Sequence, residues 1–110
     1  MNEHDLTFDA MGSHVRLLVG EPGPESALPP ASEAAAAARD FVHEFDATLS
    51  RFRPESAICA LNRDPRDTVP APPLVRRAVR AGIKAAELSG GLVDPTLVGE
   101  IEGAGYVSSR

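Results

Sequence analysis

A chain of 110 residues holds one domain at most, and with no Trp, one Tyr and four Phe its core is expected to be thin in large side chains. Eleven basic against 16 acidic residues leave a net charge of −5, which argues against a nucleic-acid surface built on clustered Lys and Arg. The lone Cys59 excludes an intrachain disulfide and a thiolate cluster, and the histidines His4, His14 and His43 lack metal-ligand spacing.

In chain order, Met1 to Asp5 is acidic and lacks an apolar segment, so no signal peptide, lipid-attachment cysteine or membrane span is expected, and the default location is the cytoplasm. Leu6 to Ala10 and His14 to Val19 read as two extended stretches, because apolar and polar residues alternate with a period of two. Met11-Gly12 interrupts them, and the glycine permits a bend or a close backbone approach. Residues 20–30, rich in Pro, Gly, Ser and Glu, read as a flexible connection.

Ser32 to Leu49 has a helical period, with Ser32 as the cap and Ala35, Ala38, Val42, Phe45 and Leu49 on one apolar stripe. His43 flanks that stripe and reads as a surface residue, and Glu44 and Asp46 fall on different faces. Ser50-Arg51-Phe52 follows directly. Phe52 either packs under the next short helix or stacks on a planar ring, with Arg51 or Arg53 available for a phosphate. Pro54-Glu55-Ser56 opens that short helix, which carries Ile58, Cys59 and Leu61 and closes at Asn62. Cys59 reads as a small buried apolar residue rather than a nucleophile.

Pro72-Pro73 starts a longer helix with Leu74, Val75, Ala78, Val79, Ile83, Ala86 and Leu88 on its apolar face. Arg76, Arg77, Arg80 and Lys84 form its solvated face. Gly90 and Gly91 stop this helix. Asp94 is then placed to cap another over Thr96 to Ala104, with Pro95 in its first turn and Leu97 and Ile101 inward. Such a junction aims backbone N–H groups at a helix start, which suits an anion, although Asp94 as a plain cap explains the pattern equally well. Val107 to Arg110 reads as a fraying tail.

Four landmarks follow one another at telling spacings: Ala10-Met11-Gly12-Ser13, Ser50-Arg51-Phe52, Ser56 to Asn62, and Gly91 to Thr96. In that order they resemble the amino-terminal half of the ApbE-type FAD:protein FMN transferases, over roughly Phe8 to Tyr106. The resemblance implies an α+β fold in which an amino-terminal strand pair packs with three or four helices. The chain would then be a single partial domain of a larger ApbE-like fold. The implied activity moves FMN from FAD onto a Thr of a target flavoprotein and releases AMP. The implied cofactors are FAD, as substrate, and Mg²⁺, whose ligands in the family lie downstream of this junction. Carried over by motif, the FAD contacts are Met11, Phe52, Leu92, Val93 and Asp94, while no catalytic residue and no metal ligand is assigned.

Three departures qualify the likeness. Ser13 stands for the family's Thr, Phe52 stands where Tyr or Trp is frequent, and Leu97-Val98-Gly99-Glu100 replaces a Val-Gly-Pro-Leu run. Thr96 is expected to support the turn rather than to react. The chain is expected to be truncated and inactive alone, with FAD and a Thr-bearing target flavoprotein as partners and neither nucleic acid nor membrane. The alternatives are a non-catalytic flavin- or nucleotide-binding module and an oligomerisation module whose bare apolar faces meet another copy.

Overall fold

The computed structural model describes residues 3–105, so the expected tail at Val107 to Arg110 lies outside the described residues. The fold is α+β. Strands β1 (Glu3–Ala10) and β2 (Ser13–Gly20) are followed by helices α1 (Ala31–Leu49), α2 (Ala57–Arg63), α3 (Pro73–Leu88) and α4 (Val98–Gly103). The chain divides into two compact units, the first ending at Asp46 and the second beginning at Ala47.

In the first unit, β1 and β2 form an antiparallel hairpin with Leu6 opposite Leu17, Phe8 opposite Val15 and Ala10 opposite Ser13. The alternation read from the sequence holds: Leu6, Phe8, Ala10, Val15, Leu17 and Val19 are partly or fully buried, and His4 extends the same face of β1. On the other face the Arg16 guanidinium forks onto the Asp5 carboxylate at 2.9 and 2.7 Å, and His14 pairs with Asp9 directly across the ladder. The fork holds the Asp5 carboxyl below the usual carboxylate value and raises the Arg16 guanidinium. Phe8 meets the His43 ring of α1 at a centroid distance of 5.1 Å, so His43, although exposed, is an aromatic contact rather than a bystander.

Helix α1 starts one residue earlier than expected, at Ala31, so Ser32 is not its cap. The Pro30 carbonyl accepts from the N–H groups of Glu33 and Ala34. The Glu21 carboxylate reaches the Ala31 N–H at 3.3 Å, bringing a negative charge to the positive end of the helix. Residues 20–30 are therefore tied at both ends. The expected apolar stripe is present, with Ala31 and Ala35 fully buried and Ala38, Val42, Phe45 and Leu49 partly so.

In the second unit, α2 is held by Ser56, which is only 2% exposed. Its hydroxyl accepts from the Cys59 N–H as a helix cap and donates to the Ser50 carbonyl at 2.7 Å. Helix α3 buries Val75 to 1% but leaves Val79, Ile83 and Leu88 exposed, against the expectation of one continuous apolar face. At about 100° per residue the covered sector runs through Leu74, Val75, Ala78 and Gly82, and Val79 and Ile83 fall beyond its edge. No helix among the described residues is long and apolar enough to cross a membrane.

Ser56→Ala removes a cap and a buried hydrogen bond together, and is expected to lower stability by about 1–2 kcal/mol, read as a lower urea midpoint at an unchanged slope.

Candidate functional site

The hairpin tip carries Met11, the first of the residues expected at the site. Met11 and Gly12 both have positive φ, 54° and 68°, in the two-residue loop between Ala10 and Ser13, as the primed turn of a tight hairpin requires. Glycine at Gly12 was foreseen. That Met11 itself sits in the left-handed region was not. A side chain there costs roughly 1–2 kcal/mol, and its usual occupants are Asn, Asp and Gly. Met11 is also 47% exposed, so burial does not explain the residue.

Phe52 stands in the loop between α1 and α2 in the second unit, half-buried, with the Arg51 guanidinium 4.2 Å from its ring centroid. Its N–H donates to the Ser50 hydroxyl at 3.3 Å. The Ser50 carbonyl accepts from the Ser56 hydroxyl, the Arg53 N–H and the Cys59 thiol. The segment is thus knit around Ser50, and Cys59 is spent as a weak donor to the backbone. Sequence reading placed Ser56 at the start of α2 but missed its bond to Ser50; a buried Ser six residues after another Ser carries no distinctive signal.

The junction after α3 is built in three steps. Gly91 donates to the Ala86 carbonyl at 2.9 Å and Gly90 to Glu87 at 3.3 Å, the paired bonds of a Schellman cap, with φ of 88° and 63°. A Cβ at either glycine would meet nothing within 4 Å, so backbone conformation and not space calls for glycine. Ser89 then braces the next turn, donating from its hydroxyl to Ala86 and accepting from the Val93 N–H at 2.9 Å. Finally Asp94 accepts from both the N–H and the hydroxyl of Thr96, at 2.9 and 2.5 Å. Pro95 lies against α3, where a Cβ on Gly82 would come within 3.4 Å of its ring.

This geometry corrects two expectations. Asp94 closes an Asx-type turn over Pro95-Thr96 and does not cap α4, which starts at Val98 after the Leu97 carbonyl accepts its first bond. The N–H groups of Gly90, Gly91, Leu92, Val93 and Thr96 are all donated within the chain, so they do not point outward as an anion cradle. What faces outward is side chain: Leu92 at 92% exposure, Val93 half-exposed, and the Asp94 carboxylate. Leu97 and Ile101 are likewise exposed rather than inward.

The structure places Phe52, Leu92, Val93 and Asp94 in the second unit and Met11 in the first. A separate cleft of about 280 Å³ lies between α2 and the link to α3, lined by Ala57, Ala60, Leu61, Asp64, Val69 and Ala71 among others, and none of the five residues borders it. Its one guanidinium, Arg66, is forked onto Asp64, so the cleft offers an anion no unpaired cation. Among the described residues no group of three or more His, Cys, Asp or Glu side chains is placed to hold a metal ion.

The Thr96 hydroxyl and N–H, in that order, hold the Asp94 carboxyl below its ordinary value. A depressed carboxyl contributes its stabilisation fully above the unfolded value, near pH 4, and loses it as pH falls through the lower folded value. The Asp94 carboxyl resonance is therefore expected to titrate below that of a free Asp, and Thr96→Val to return it toward the ordinary value, as read by NMR.

Comparison with known proteins agrees with the order of landmarks. The sequence profile described as the ApbE family matches residues 11–105, from the hairpin tip through α4. No curated protein and no solved structure matches the chain. With 95 of its 110 residues spanned by that one profile, the chain belongs to the ApbE family.

Proposed function

We propose that the chain supplies flavin-nucleotide contacts of a FAD:protein FMN transferase. The observation that carries the reading is the family match through both the half-buried Phe52 loop and the 89–96 junction, whose exposed Leu92 and Val93 suit a planar ring. Phe52, with Arg51 over its ring, joins an aromatic surface to a cation. Leu92 and Val93 add apolar surface on a turn locked by the Gly90–Gly91 cap and Ser89. Asp94, ionised and held by Thr96, is an acceptor of fixed direction. Met11 is a further contact by resemblance, and its strained backbone is what a binding role would explain.

In the proposed reaction the hydroxyl oxygen of a target Thr bonds to the FMN phosphorus and the pyrophosphate bridge breaks. AMP departs with the bridging oxygen and the hydroxyl proton is released. The described residues do not form a site for Mg²⁺, and no step is assigned through a metal here. This chain's part is to bind and orient FAD, a positioning contribution of the kind that dominates phosphoryl transfer.

Titration of FAD into the purified chain, followed by quenching of flavin fluorescence with circular dichroism on the same sample, is expected to saturate. Phe52→Ala and Asp94→Ala are each expected to weaken binding roughly tenfold, about 1.4 kcal/mol. A folded chain that ignores FAD would overturn the proposal. Met11→Gly relieves the left-handed strain and is expected to raise stability by about 1 kcal/mol while weakening FAD binding; a gain in stability with unchanged binding would make Met11 a turn residue only.

A further inference from the structure

Helix α3 leaves uncovered a face of particular composition. Val79 and Ile83, one turn apart, are 47% and 52% exposed. Beside them run Arg76, Arg80 and Lys84, at steps of four and all exposed. None of these cations has an ion-pair partner among the described residues. The helix carries four basic residues and one acidic residue in a chain of net charge −5.

Helix α1 carries the complement, four acidic residues and one basic. Glu33, Asp40 and Glu44 are exposed along one side, with only alanine, Ala37 and Ala47, between and beyond them; Asp40 also meets the Arg39 guanidinium of its own helix at 3.3 Å, and Phe41 is 49% exposed on the flank of that row. The spacings also match. Asp40 and Glu44 are four residues apart, as are Arg80 and Lys84; with Asp40 level with Arg80, Phe41, one residue further on, falls between Val79, one residue before Arg80, and Ile83, three after it.

We propose that the basic, apolar face of α3 docks the acidic, apolar face of α1 in a second copy of this chain. Phe41 of one copy sits between Val79 and Ile83 of the other, Asp40 faces Arg80, and Glu44 faces Lys84. The rotation from acidic row to Phe41 on α1 has the same sense as that from apolar pair to basic row on α3. Apolar therefore meets apolar, and acid meets base, only if the two helices run parallel. Exposed ion pairs contribute little singly, so the apolar contact supplies affinity while the charges select partner and register.

The test is sedimentation equilibrium of the whole chain at low salt and at about 1 M salt, where exposed pairs are screened, with circular dichroism as the folding control. The expected result is concentration-dependent self-association, with a dimer as its first step, that loosens in high salt; each α3–α1 contact is heterologous and leaves one face of each kind for a further copy. Ile83→Asp should leave a folded monomer. Glu44→Lys and Lys84→Glu should each weaken the dimer roughly tenfold, and the two together in one chain should restore it. A monomer at every concentration overturns the proposal and leaves the face to a different acidic partner. A dimer that ignores Ile83→Asp, or a double charge swap as weak as the single ones, overturns it as well. The readout is mass, so it stands or falls independently of FAD binding.

Discussion

The buried hydroxyl of Ser56 is the interaction on which the second unit depends. It reaches back to the Ser50 carbonyl and forward to the Cys59 N–H, joining the end of α1 to the start of α2 across a loop of seven residues. That loop carries Phe52. Among the described residues the buried hydrophobic positions are Ala10, Ala31, Ala35 and Val75, three alanines and a valine. A core so poor in large side chains leaves apolar burial a modest share of the work, so backbone geometry is set by polar closures that satisfy specific donors and acceptors.

The same logic recurs wherever the chain turns. Glu21 meets the first N–H of α1, and the Arg63 guanidinium donates to the Pro54 carbonyl at 2.9 Å. Gly90, Gly91, Ser89 and Asp94 close successive bonds after α3. These closures consume the donors that would otherwise have been offered to a ligand. Because the backbone is spent holding the turn, what this segment turns outward is the Leu92, Val93 and Asp94 side chains, the proposed FAD contacts, on a hydrogen-bonded base. Preorganisation of that kind lowers the ordering cost of binding.

The uncovered apolar residues of α3 and α1 follow from the same shortage of core. Amphipathic helices place about half their circumference against a core, and here there is too little core to cover Val79, Ile83 and Phe41. Charge segregation between the two helices, acidic on one and basic on the other, turns these flanks into complementary faces.

Much of the architecture was legible in the sequence. Period-two alternation located both strands and their inward faces, period 3.6 located the three longer helical stretches, and Gly90-Gly91 marked the end of α3 because few other residues tolerate positive φ. The landmarks and their order were enough to identify the ApbE family. Tertiary structure alone decided the rest. It put Met11 in the left-handed region, because a two-residue hairpin loop demands that geometry whatever side chain occupies it. It assigned Asp94 to a turn rather than a helix cap, because its carboxylate accepts from the Thr96 N–H and hydroxyl and α4 starts only at Val98. It also left Val79 and Ile83 in the open. Sequence periodicity specifies which side of a helix is apolar, but how much of that side is covered depends on what the rest of the chain brings to it.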